Sequence, residues 1–331
     1  MCSAQKVKIR MQENESAPQA EEQHRSFRYW ADKLRTAVLC LIAGITLYAL
    51  YSLRGSDWGA VYAFWHARRF LLAQVFLLGC CDIFLDGLIW RQVLRHQGVT
   101  PGKVQSIFLY FSAHAALLMP AQLGRAFRSA ETARRCYVSA ATTFSAEVLY
   151  LGFTAISASA LFVSAFMFFQ ISATAFFLPL LLIPAGLAAA QVIRPLLIRL
   201  KLQIGFVSFL QPALAGLVFL SMLNWLINAL NLYLVFRELI PDLSYMHPLM
   251  ISTSTLFVGA ISGIPGGFGV AESYIGALLY WLKAPPVHLV PAVLAFRILS
   301  VWIWVPVGWL TLGLQSVAFR KKSTEETEAS Q

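Results

Sequence analysis

Apolar runs close to the length of a bilayer-crossing helix recur from Thr36 to Val317, and they constrain this chain more than any motif it carries. A helix needs about 20 such residues to cross the hydrocarbon core. Candidate segments fall at 36–53, 70–90, 104–119, 138–168, 172–193, 206–236, 248–264, 272–282 and 287–317. Lipid does not tolerate unpaired backbone, so the expected fold is all-α, a polytopic membrane helical bundle. Only 13% of the residues are charged and 58% are hydrophobic, whereas a soluble domain is roughly 25% charged. No stretch of ordinary domain size, about 100 residues, is left over for a soluble catalytic domain.

The ends differ from the middle. Residues 1–35 mix Lys6, Lys8, Arg10, Arg25, Arg28, Lys33 and Arg35 with five acids and contain no apolar run; they read as a polar, disordered cytoplasmic tail and not as a cleavable signal. Residues 36–317 form the membrane-embedded domain, and 318–331 form a second polar tail. The net charge of +10 would suggest nucleic acid in a soluble protein. Here most bases lie at segment ends, where they set topology and attract anionic headgroups, so no nucleic-acid partner is expected. The five cysteines have no Cys-x-x-Cys spacing and the six histidines no His-x-x-x-His pair. Neither a metal nor a cofactor is expected.

The positive-inside rule places Lys33/Arg35, Arg91/Arg95/Lys103, Arg194/Arg199/Lys201 and Arg320/Lys321/Lys322 in the cytoplasm. Arg54, Arg68 and Arg69 then lie outside, against the rule. On this topology residues 104–136 enter and leave from inside, turning at Met119 to Gly124, while 248–284 enter from outside and turn within "SGIPGGFGVAES". The result is about six full crossings and two Pro/Gly-broken re-entrant hairpins, with both termini cytoplasmic. The tips Pro120-Ala-Gln-Leu-Gly124-Arg-Ala126 and Pro265-Gly-Gly-Phe-Gly269-Val-Ala271 share four positions. Opposite entry sides and matched tips are the pattern of an inverted repeat with its binding site between broken segments.

Four charges stand in or beside apolar segments: Arg128, Glu147, Glu272 and Arg297. Each costs about 2.5–3.5 kcal/mol at the bilayer centre, so they should be paired. Two readings remain. The arginines hold an anionic headgroup, a phosphate matching guanidinium geometry, while the acids orient them or carry protons; or the four form two internal salt bridges that fix packing. Asp82 and Asp86, one turn apart on one face of the second segment, are also intramembrane; two readings stand for them, pairing with Arg91 or Arg95 near the inner boundary, or a part in a site. Asn224, Asn228 and Asn231 share one helical face and either bond across helices or line a cavity. His114 reads as a satisfied buried polar group, and the tryptophans of the last segment as interfacial or packing rings.

Pro265, Gly266, Gly267, Gly269, Glu272 and Arg297, with Trp90 to Gly98 at the end of the second segment, resemble the flippase-like family named after the lysylphosphatidylglycerol synthase transmembrane region. The resemblance covers most of residues 36–317. In the first half Pro120, Gly124, Arg128 and Glu147 match that family's pattern, but Gln122 replaces its Arg, Arg125 its Glu and Val148 its second Arg. The resemblance implies an integral protein of the bacterial cytoplasmic (inner) membrane that moves an anionic phospholipid or a lipid-linked molecule between leaflets. The substrate-binding residues it suggests are Pro120, Gly124, Arg125, Arg128, Glu147, Pro265, Gly266, Gly267, Gly269, Glu272 and Arg297. It assigns no catalytic residue and no metal ligand. Lysyl transfer is not expected, because the namesakes' soluble transferase domain has no counterpart here; a homo-oligomer is compatible with the pattern. The alternatives are an intramembrane lipid-modifying enzyme, with Glu147 or Glu272 as general base, and an accessory membrane subunit without transport activity.

Overall fold

The computed structural model describes residues 58–116, 123–183, 212–262, 267 and 269–314. The two tails, the first expected crossing at 36–53, the arginines at 194 and 199, and Pro120, Gln122, Pro265, Gly266 and Phe268 lie outside the described residues. The chain divides into two units, Met1–Trp58 and Gly59–Gln331, and the helical bundle belongs to the second.

All regular structure among the described residues is helical. The α-helices are α1 Trp58–His66, α2 Arg69–His96, α3 Lys103–Ala113, α4 Leu123–Cys136, α5 Ala140–Gln170, α6 Pro212–Phe236, α7 Met246–Ser262, α8 Val270–Trp281 and α9 Pro286–Arg297. A short apolar helix, Thr174–Ile183, follows α5. After Arg297 the backbone widens into a π turn, Ile298–Trp302, and the helix then continues to Leu314. Among the described residues four helices are long and apolar enough to cross a membrane: α2, α5, α6 and the last, His288–Leu314.

Most elements end within a few residues of where hydropathy placed them, and local chemistry sets several of those ends. Ser139 starts α5, its Oγ accepting the Thr142 backbone N–H at 3.1 Å, which satisfies a donor that the first turn would otherwise leave open. α1 is an element that the hydropathy runs did not contain. Just beyond it, Arg68 bonds Glu238 at 3.0 Å, so this base has an acid beside it.

The bundle is packed through small residues and faces outward with large apolar ones. α2 runs along α6, the most extensive helix pairing among the described residues, while α5 packs on α6 and α7, and its buried residues include the small Ala146, Ser157, Ala158, Ala160, Ser164 and Ala165. Small side chains let backbones approach closely, and Ser157 Oγ donates to the Val218 carbonyl of α6 at 2.9 Å. Gly308 is a second close approach: a Cβ there would overlap the backbone nitrogen of Ala115 and stand 3.0 Å from the Phe111 carbonyl oxygen. Meanwhile Leu77, Phe84, Val148, Phe166, Leu223 and Leu310 are exposed. Such an apolar exterior would be a liability in water and is what lipid requires.

The short helices form two adjacent pairs, α3 with α4 and α7 with α8. α3 leans on α2 and α4 on α5, while α7 lies on α5 and α6 and α8 on α9. One buried apolar cluster includes Trp90, Leu94, Tyr110, Tyr150 and Phe153; another includes Phe236, Ile275, Leu279 and Phe296. The charged residues are set at these two clusters.

Candidate functional site

The first charged pair forms where α4 meets α5. Arg128 Nε donates to Glu147 Oε1 at 2.5 Å and its Nη2 to Oε2 at 2.7 Å, the two-pronged geometry that guanidinium and carboxylate share. Both are buried, at 6% and 2% exposure. Three rings surround the guanidinium carbon: Trp90 at 4.4 Å, Tyr150 at 4.9 Å and Tyr110 at 5.0 Å to their centroids. Aromatic faces attract a cation most when water is excluded. Nearby, Glu131 bonds both Arg134 and Arg135, so the basic end of α4 carries its own acid.

The second pair forms where α8 meets α9, and it is built into the start of a helix. Gly269 precedes α8 with φ of +78°, a conformation that costs an L-residue roughly 1–2 kcal/mol. Glu272, three residues on, reaches back so that Oε2 accepts the Gly269 N–H at 2.7 Å, while Oε1 accepts Arg297 Nε at 2.6 Å. One carboxylate thus caps a helix and orients an arginine on the next. Gly267, with φ of +67°, is buried with its Cα side facing Gly259 of α7; a Cβ would lie 3.6 Å from the Gly259 Cα.

Beside the second pair lies a cavity of about 260 Å³. Arg125 of α4 and Arg297 of α9 both line it, with Gly267, Ala271 and polar groups of Asn228, Ser252, Thr255 and Ser300. Arg125 also lies 5.5 Å from the Tyr150 ring centroid. Of the residues that the sequence singled out, the structure therefore gathers Arg125, Gly267 and Arg297 at one cavity and ties Glu272 to it through Arg297. Arg128 and Glu147 stand apart, engaged with each other. Gly124 lies in the first turn of α4, outside the cavity lining.

Asp82 and Asp86 do not pair with Arg91 or Arg95. Tyr110 donates its hydroxyl to Asp86 at 2.8 Å, Asn224 its amide to Asp86 at 3.1 Å, and Asn228 its amide to Asp82 at 3.4 Å. Five residues of helix turn through about 140° beyond a full revolution, so Arg91 points away from the face that carries Asp86. The three asparagines fulfil both expectations in part: two bond across to α2, and Asn228 also lines the cavity. His114 Nδ1 lies 3.2 Å from the Tyr110 carbonyl, a satisfied, partly buried group. Trp304 is buried against Phe76 and Phe111, whereas Trp281 and Trp309 are exposed.

The ring cage, the polar lining from α7 and the π turn beside Arg297 were not anticipated. The cage has no local signature, since Trp90, Tyr110 and Tyr150 come from three helices. A π turn at a functional position is a recurrent device, but no residue type announces it.

Comparison with known sequences agrees with this architecture. Residues 36–308 match the family profile described as "Lysylphosphatidylglycerol synthase TM region". A similar curated protein is a "UPF0104 membrane protein" of Methanothermobacter thermautotrophicus, 33% identical over 94 residues; the match spans 28% of this chain and 28% of that relative's length.

Proposed function

The chain belongs to the lysylphosphatidylglycerol synthase transmembrane-region family and is an integral membrane protein; from that premise we propose that it moves a lipid or lipid-linked molecule between leaflets. The observation that carries this reading is one cavity lined by an arginine from each half, Arg125 and Arg297. Two guanidiniums facing one space suit a phosphate or another anionic headgroup. At about 260 Å³ the cavity is smaller than the roughly 300–1,000 Å³ that enclose drug-sized ligands. It therefore takes a headgroup, and the acyl chains stay in lipid.

In this reading α3–α4 and α7–α8 are re-entrant hairpins of an inverted repeat, entering from opposite faces of the cytoplasmic membrane, with both termini on the cytoplasmic side. Glu272 holds Arg297 in place for the headgroup and caps α8, whose N-terminal dipole adds attraction for an anion. Arg128 and Glu147 fix α4 on α5 and so position Arg125 one turn away. The protein acts as a transporter and makes or breaks no covalent bond in the substrate.

The test is a leaflet assay in proteoliposomes with a fluorescent anionic phospholipid and an impermeant quencher. Wild-type protein should speed the loss of protection, and Arg297→Gln or Arg125→Gln should slow it at least tenfold. An unchanged transbilayer distribution of every anionic lipid tried would end this reading.

A further inference from the structure

The α2–α6 seam is the most extensive helix pairing among the described residues, yet its centre is polar. Asp86 is fully served there: Oδ2 accepts the Tyr110 hydroxyl at 2.8 Å and Oδ1 the Asn224 amide at 3.1 Å. Asp82 is not. Its Oδ2 has a single long contact, 3.4 Å from the Asn228 amide, and its Oδ1 is buried without a partner among the described residues. The Asn224 carbonyl oxygen and both amide atoms of Asn231 are in the same condition, and Asn231 is only 1% exposed. Residues 224, 228 and 231 share the α6 face turned to α2. The Asn231 amide nitrogen lies 3.9 Å from where a Cβ on Gly79 would stand, one turn from Asp82.

Buried polar atoms almost always find partners, and a buried carboxylate needs a compensating charge. Neither aspartate forms a salt bridge to a described Arg or Lys. The unpartnered atoms around Asp82 are mostly oxygens, the donor type that hard cations take. We infer that Asp82, faced by the row Asn224, Asn228 and Asn231, binds a small monovalent cation, H+ or Na+, within the bundle. As H+, the proton comes from water and sits on Asp82 Oδ1, turning an unpartnered acceptor into a donor toward an asparagine carbonyl oxygen. As Na+, the ion is held by the carboxylate and the amide oxygens. Either one removes the uncompensated charge.

The charged and titratable groups around this seam are Asp86 on α2, Tyr110 on α3, Arg125 and Arg128 on α4, and Tyr150 on α5. Across the seam itself α6 presents asparagines and no acidic or basic residue. Asn228 connects this site to the headgroup cavity, because it both bonds Asp82 and lines that cavity. Loading the cation changes what Asp82 asks of the Asn228 amide and so changes the cavity wall. Coupling of ion to headgroup rests on the transport reading; the cation site does not.

Infrared difference spectroscopy on the full-length protein in nanodiscs tests the site without any transport. A protonated-carboxyl C=O band should titrate with pH in the wild type and vanish in Asp82→Asn. At fixed pH, bleaching of the band by NaCl and not by KCl identifies Na+ competing for the carboxylate; indifference to both identifies a proton site. Asn231→Leu keeps Asp82 and should move the midpoint by about tenfold in proton concentration. The inference is overturned if no titrating band is lost in Asp82→Asn and Na+ has no specific effect, or if the midpoint ignores Asn231. A silent leaflet assay beside a titrating Asp82 band would count against transport and not against this site.

Discussion

In the first half of the bundle the base stands on α4 and the acid on α5; in the second half the acid stands on α8 and the base on α9. The exchange of order goes with a difference in surroundings. Arg128 and Glu147 are closed off, doubly bonded and ringed by Trp90, Tyr110 and Tyr150. Arg297 meets Glu272 through its Nε, Glu272 is 17% exposed, and Arg297 lines the cavity. The same two residue types thus make an enclosed strut in one place and, in the other, a buried pair whose arginine forms part of a cavity wall. What decides is whether the guanidinium is enclosed by rings or borders an open space.

The largest effect should come from breaking the closed pair on one side only. Glu147→Ala leaves Arg128 buried among rings and should destabilise the protein by about 3–5 kcal/mol, read as loss of the folded fraction in detergent by thermal unfolding. Glu272→Ala, at the more open pair, should cost clearly less in the same experiment. Equal losses would mean that both pairs are struts. A paired replacement sharpens the contrast: Arg128→Met with Glu147→Leu should recover most of that stability, since apolar substitutes for a buried ion pair are often neutral or stabilising.

Next in size is Gly308→Ala, which drives a Cβ into the Ala115 backbone. Overpacking of this kind costs about 1–3 kcal/mol and should lower the unfolding temperature while leaving both ion pairs formed. Gly269→Ala, which forces an alanine to φ near +78°, should cost about 1–2 kcal/mol. It should also impair leaflet exchange more than its small stability loss explains, because it disturbs the Glu272 cap. Trp90→Leu removes one face of the Arg128 cage, and the share of its cost owed to that cage should be about 1–2 kcal/mol. Its effect should shrink in an Arg128→Met background; persistence there would assign Trp90 to packing alone.

Much of this arrangement is legible in the sequence because lipid makes apolar length and misplaced charge so costly. Arg128, Glu147, Glu272 and Arg297 stand out for that reason alone, and their need for partners follows. The choice of partners does not follow, since Arg128 and Glu147 are 19 positions apart and Glu272 and Arg297 are 25 apart. No helical spacing joins residues so distant. Asp86 shows the opposite failure: proximity in sequence suggested Arg91, whereas helix phase and the α2–α6 packing gave it Tyr110 and Asn224. The cavity wall was invisible for the same reason, being assembled from α4, α6, α7 and α9 at once.

The π turn at Ile298–Trp302 can be read as a change of angular phase. Its Ile303 N–H bonds the Ile298 carbonyl five residues back, at 2.9 Å, so one more residue is wound into that turn than an α-helix holds. Each residue of α-helix advances the azimuth by about 100°. Below the turn the last helix aims Arg297 into the cavity, and above it aims Gly308 at the backbone of Ala115. Wound as ordinary α-helix with every residue kept, 298–302 would rotate one of these faces away from its target by roughly a quarter-turn or more, whereas deleting one residue there would restore α winding and keep both faces aimed. The π turn thus sets the angle between the two ends of a single rod, so that Arg297 borders the cavity while Gly308 docks on the backbone of Ala115.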